Sequence, residues 1–186
     1  SFLAGLLVDK FLYHLPLYRQ HQRLADAGIT LSRSTLTRYV QQAIALVTPI
    51  YDAQWQHILQ SRVLAMDETP IKAGRSGKGK LRQTWYWPIY GEDDEICFTW
   101  STSRGSEHVK QQLGDFGGTL LSDGYAAYDA YAKGRPQVTQ AQCWAHLRRY
   151  FERAESSDPA AAEALAIIGE LYRVERAIRD RELTGQ

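Results

Sequence analysis

The chain has 186 residues, 44% hydrophobic and 23% charged, with a net charge of +1. That length and balance suit one main globular domain with a smaller appendage, and no apolar run approaches the ~20 residues of a membrane span. Cys97 and Cys143 are the only cysteines, which argues against a disulfide scaffold and favours a reducing compartment such as the cytoplasm. The first residues include an apolar stretch without a basic flank or cleavage pattern, so no signal peptide is expected. The chain begins with serine and reads as a segment of something longer.

Residues 1–60 read as helical and hold five Lys/Arg against three Asp and no Glu. A short helix is expected over 17–27. Gly28 turns the chain, and Ser32 or Ser34 caps a second helix to about residue 44. This is a helix–turn–helix pattern. Arg33, Ser34, Thr35 and Arg38 stand near the start of its second helix, where a recognition helix meets DNA. The plainer alternative is a small helical bundle with solvated arginines, because helical hairpins with a glycine turn are common.

Strand character begins at Val63. Strands are expected over 63–66, 83–90 and 95–100, rich in the aromatic and β-branched residues that strands prefer. Gly91 and the acidic run 92–95 form a solvated hairpin tip between the second and third. A helix over 106–113 leads to a fourth strand at 118–122, a helix at 125–132 and a fifth strand at 138–143. Helices over 144–154 and 160–182 follow, the latter with Leu165, Ile168, Leu171, Tyr172 and Ile178 at near-helical spacing. The order β-β-β-α-β-α-β-α predicts a ribonuclease H-like α/β fold: a mixed five-stranded sheet with flanking helices, preceded by the small helical region. The expected organisation is a helical region over 1–60, with its helix–turn–helix as the candidate DNA-binding element, a ribonuclease H-like core over 61–155 and a helical extension over 156–186.

In that fold the first and fourth strands are neighbours, and each runs into an aspartate. Asp67 and Asp123 then aim at one point. Carboxylates are rarely buried unless paired or bound to metal, and two such strand ends form a hard-oxygen site for a divalent cation. The alternative is that both are turn-formers, since Asp123-Gly124 is a common turn dipeptide. Glu68 points the other way from Asp67 along a strand and reads as supporting structure.

Three further features are weaker. Cys143 and His146 have a ligand-like spacing for zinc, but two ligands do not make a tetrahedral site. Cys143 reads better as a small buried hydrophobe, and His146 as a phosphate contact or a partner of the acids. Residues 74–81 match GxxxxGK, yet Leu81 replaces the magnesium-binding Ser/Thr and a strand follows where a helix is required. Five Lys/Arg and no acid occupy 72–82, so Lys78 and Lys80 belong either to a flexible basic loop that touches DNA backbone or to a plain solvated one. Arg148 and Arg149 can hold phosphates bidentately beside the site, or face solvent.

Four ordered stretches, HLPLYRQHQRLADAGITLSRSTLTRYV, MDETPIK, SDGYAAY and CWAHLRRYF, resemble the insertion-sequence-66 family of bacterial transposases over nearly the whole chain. The resemblance implies a DDE catalytic core in which Asp67 and Asp123 match the first two catalytic and metal-binding acids. It also implies Mg²⁺ or Mn²⁺ as cofactor, two ions about 3.5–4 Å apart in the complete site. Expected partners are DNA at element ends and target, with a homo-oligomer on paired ends, at the bacterial nucleoid and with no membrane. The resemblance further implies that water frees a 3′-hydroxyl, which then attacks target DNA without a covalent protein intermediate. The family's third acid, a glutamate, follows a pair of asparagines, and this chain has no asparagine. Glu175 mimics part of that motif but lies too early. The third acid is therefore expected beyond residue 186, leaving the isolated fragment inactive. The rivals are a nuclease on the same fold and a non-catalytic DNA-binding module.

Overall fold

The computed structural model describes residues 1–182, apart from the side chains of Arg75 and Ser76. Residues 183–186, the end of the expected extension, lie outside the described residues. The chain divides into two compact units, Ser1–His57 and a second starting at Ile58.

The first unit is helical throughout. α1 (Phe2–Leu7) runs on into a π-helical turn, Val8–Leu12, and is followed by α2 (Leu17–Asp26) and α3 (Arg33–Ile58). Leu6, Leu36 and Val40 form its core, with Leu3, Leu17, Leu24 and Tyr39 packed around them. Buried Gln20 donates from Nε2 to the carbonyl of Leu15 at 3.0 Å, and Arg23 pairs with Asp9. Of the two candidate caps it is Ser32 that acts: its Oγ accepts the Thr35 N–H at 3.0 Å, satisfying an otherwise orphaned helix donor. α3 is much longer than expected. Pro49 lies inside it, although its ring and missing N–H usually end a helix.

The second unit is built on a six-stranded mixed sheet. Its strands are β1 (Val63–Met66), β2 (Thr69–Gly77), β3 (Lys80–Tyr90), β4 (Ile96–Ser101), β5 (Gly118–Ser122) and β6 (Val138–Gln142). β4 lies antiparallel on one edge of β3. The other edge pairs first with β1, Ala65 opposite Tyr90, and then with β2, Thr69 opposite Tyr86. β1 and β2 are thus one line broken at Asp67 and Glu68. β5 is parallel to β1, and β6 to β5. The order β4-β3-β1-β5-β6 is the ribonuclease H-like arrangement, and all five expected strands are present.

The sixth strand corrects the sequence reading. The basic stretch 72–82 is not a free loop but a hairpin, in which β2 pairs with β3 through two register shifts. Gly74 (φ +71°) and Gly79 (φ +74°) take backbone conformations that side chains disfavour, which is why three glycines among lysines read as loop.

Alternation on β1 buries Leu64 and Met66 on one face. That face continues through Trp87, Ile89, Cys97 and Leu120, all at most 3% exposed. α4 (Ser106–Leu113) and α5 (Ala126–Ala132) pack on it: the Trp87 ring lies 5.5 Å from His108 of α4 and 6.4 Å from Tyr128 of α5. α6 (Trp144–Ala154) and α7 (Pro159–Asp180) pack against each other. No helix among the described residues is long and apolar enough to cross a membrane.

Candidate functional site

The parallel register between β1 and β5 determines what lies at their ends. Val63 faces Thr119, Leu64 faces Leu120 and Ala65 faces Leu121. Asp67 and Asp123 each stand two residues beyond that last pair, so they leave the sheet side by side. Ligand oxygens of Asp67, Glu68 and Asp123 lie within 4.8 Å of one another. A cleft of about 160 Å³ opens here, lined by Ala65, Asp67, Tyr90, Asp123, Cys143 and His146 among others.

Each aspartate is oriented by the backbone. Asp67 Oδ1 accepts the Glu68 N–H at 2.8 Å, and Asp123 Oδ1 accepts the Tyr125 N–H at 2.9 Å. The second bond is an Asx turn, so the turn-former reading of Asp123 and the ligand reading hold together. Gly124 (φ +82°) makes the sharp exit from β5. The Asp67 side chain keeps 44% exposure, and its Oδ2 lies 3.7 Å from His146 Nε2. Two solvent-accessible hard-oxygen donors at this spacing fit a divalent cation such as Mg²⁺ or Mn²⁺.

Glu68 is different. Its side chain is fully buried and ion-paired with Arg104. Arg104 Nε donates to Oε1 at 2.6 Å, and the Tyr128 hydroxyl donates to Oε2 at 2.6 Å. Burial raises the Glu68 carboxyl above its ordinary range, against the lowering effect of Tyr128 and Arg104. Burial likewise pushes the Tyr128 phenol upward, reinforced by its bond to Glu68.

The sequence model described as Transposase IS66 family matches residues 1–186. The chain belongs to that family. It is similar to two proteins of Sinorhizobium fredii (strain NBRC 101917 / NGR234) described as uncharacterized. It is 32% identical to y4jD over 95% of this chain, and 29% identical to y4qI over 99% of it. The chain spans 37% of the length of each of these curated relatives.

The remaining residues singled out from the sequence are spread over this IS66-family chain. His146, near the start of α6, lines the cleft, and its Nδ1 is buried without a hydrogen-bond partner. Arg148 and Arg149, further along α6, are exposed and are not among the cleft residues. Arg148 instead pairs with Glu152 at 3.0 Å. Lys78 and Lys80 are exposed at the tip of the β2–β3 hairpin. Arg33 and Arg38 belong to the first unit; Arg38 lines a shallow surface hollow with Ser34 and Thr35. Cys143 and His146, weighed for zinc, join no group of three or more metal ligands among the described residues.

Three features were not legible as site residues. Tyr90 reaches the cleft because it pairs with Ala65. Arg104 and Tyr128 reach Glu68 from 36 and 60 positions away. Nothing in local spacing signals those contacts. The acidic hairpin tip is also more than a solvated turn, because Glu92 accepts the Arg62 N–H at 2.7 Å just before β1.

Proposed function

We propose that this chain carries the first two acids of a DDE transposase, an enzyme that cuts and joins DNA by in-line phosphoryl transfer. The observation that carries the reading is the convergence of the Asp67 and Asp123 carboxylates at one cleft, within 4.8 Å, in a chain of the IS66 transposase family.

Asp67 and Asp123 would hold Mg²⁺ or Mn²⁺ through oxygens aimed by the Glu68 and Tyr125 N–H groups. Divalent cations held there would supply Lewis-acid stabilisation to the phosphodiester under attack. Each step makes one P–O bond and breaks one. Water frees a 3′-hydroxyl at the element end, and that hydroxyl displaces a 3′-oxygen of the target. His146 faces the scissile phosphate from the wall of the cleft. Arg148, Arg149, Lys78, Lys80, Arg33 and Arg38 contact the DNA backbone. Glu68 does not complete the triad, because both its oxygens are engaged by Arg104 and Tyr128. The third acid is expected beyond residue 186, and the enzyme acts as a homo-oligomer on paired ends.

The test is Mg²⁺-dependent joining of a labelled donor end to a target duplex, with the chain carried in a polypeptide of the relatives' length. Asp67→Asn and Asp123→Asn are run alongside. The reading predicts joined products from the parent and none from either variant. Cleaved but unjoined DNA supports the nuclease instead, and joining by Asp67→Asn overturns the assignment.

A further inference from the structure

A buried glutamate directly beside a candidate metal ligand needs a physical reason. Taking a carboxylate out of water is expensive unless it is paired and its lone pairs are satisfied. Glu68 meets both conditions through partners that reach it from two other elements. Arg104, just ahead of α4, holds Oε1, and Tyr128 of α5 holds Oε2. With both oxygens taken by donors, Glu68 is an anchor and not a ligand.

The anchor connects to both aspartates. Toward Asp67 the link is covalent and short: Glu68 is the next residue, and its own N–H orients Asp67 Oδ1. Toward Asp123 the link runs through Arg104. The guanidinium lies 3.8 Å from the Tyr125 ring centroid and 5.1 Å from that of Trp85. The Tyr125 hydroxyl donates back to the Arg104 carbonyl at 3.2 Å, while the Tyr125 N–H holds Asp123 Oδ1 at 2.9 Å. Tyr128 closes the ring of contacts, meeting Tyr125 edge-on at 6.3 Å. The chain leaves regular strand at both Asp67 and Asp123. The Asp67 N–H still meets the Pro88 carbonyl at 3.3 Å, but such backbone bonds do not orient the two carboxylates. The network behind them does.

We propose that Glu68 and Arg104, with Tyr125 and Tyr128, are positioning residues that hold Asp67 and Asp123 in the orientation a divalent cation requires. The inference rests on the reading of the two aspartates as metal ligands. Partners behind metal ligands typically change metal affinity by about 10–100-fold when removed, although they touch no metal.

Electrostatics alone predicts the opposite sign. Arg104 neutralises one of three clustered carboxylates, so with Glu68 still ionised a neutral residue in its place makes the site more negative. If charge were its only contribution, cation binding would tighten. A brace predicts weakening, because the aspartates lose their alignment.

The experiment uses the 186-residue chain and its Arg104→Gln, Arg104→Lys and Tyr128→Phe variants. Tyr128→Phe keeps the ring and removes only the hydroxyl, so it guards against an Arg104 variant that does not fold. Two quantities are read below the unfolding transition: the Mn²⁺ dissociation constant, from the spin-resonance signal of free Mn²⁺, and metal-free amide exchange at Glu68 and Tyr125. The brace predicts faster exchange at those two amides relative to the sheet core in Arg104→Gln and Tyr128→Phe. It also predicts Mn²⁺ binding about tenfold weaker in Arg104→Gln, with Arg104→Lys in between because it keeps the charge and loses the fork. Tighter Mn²⁺ binding by Arg104→Gln, or unchanged exchange at both amides in every folded variant, overturns it. Faster exchange in a chain that binds no Mn²⁺ even as wild type supports the brace and refutes the metal reading.

Discussion

Replacing Gly118 with alanine tests the register on which the site depends. Gly118 opens β5 at φ +155°, and a Cβ there would lie 2.5 Å from the Arg62 carbonyl oxygen and 2.9 Å from the Phe116 ring. The same carbonyl accepts the Thr119 N–H at 2.8 Å, so it is part of the β1–β5 junction and cannot simply swing away. Backbone strain of this type costs roughly 1–3 kcal/mol. Forcing a methyl into a packed contact costs roughly another 1–3 kcal/mol. Gly118→Ala is therefore expected to destabilise the second unit by about 2–6 kcal/mol. Gly134 is the control: its φ is +80° but a Cβ there meets nothing within 4 Å, so Gly134→Ala carries the strain alone, about 1–2 kcal/mol. Urea unfolding followed by tryptophan fluorescence reads the difference well, since four of the five tryptophans, all but Trp55, lie in the second unit. Equal midpoints for the two variants would refute the argument that close approach at Gly118 fixes the register of Asp123 against Asp67.

Three other outcomes follow from the packing. Leu120 is fully buried in β5, so Leu120→Ala should cost about 2–5 kcal/mol, read as a lower urea midpoint. Ser32→Ala removes the cap of α3 and should destabilise the first unit by about 1 kcal/mol, read as lost helical circular dichroism on heating. Burial lowers the pKa of His108, whose Nε2 is buried without a hydrogen-bond partner against Trp87. The unfolded chain therefore takes up this proton first as pH falls below the ordinary histidine value of about 6.5. The stabilising effect of neutral His108 is present above that value and lost toward more acidic pH. His108→Gln should flatten that acid-side slope in unfolding titrations.

The sheet was readable from the sequence where side-chain chemistry and strand period agree. Residues 85–90 are aromatic or β-branched except for Pro88, and the short runs before Asp67 and Asp123 are bounded by polar residues, so all five core strands were expected near their observed positions. β2 was hidden because Pro70, Lys72, Ala73, Gly74 and Gly77 are residue types that strands usually avoid; pairing to β3 holds it in place. The full length of α3 was hidden by Pro49. The two aspartates were visible because each stands where a short apolar run ends. The partners that orient them were not, since Arg104 and Tyr128 meet Glu68 only through the packing of α4 and α5 on the sheet, and no period in the sequence encodes such a contact.

The metal reading requires Asp67 and Asp123 to hold one divalent-cation site together. Mn²⁺ titrated into the isotopically labelled chain, with amide signals followed residue by residue, tests it most directly. A shared site broadens Glu68, Gly124 and Tyr125 first, and this early broadening disappears in Asp67→Asn. Broadening that starts instead at the acidic tip 92–95, or that survives the substitution unchanged, would contradict it.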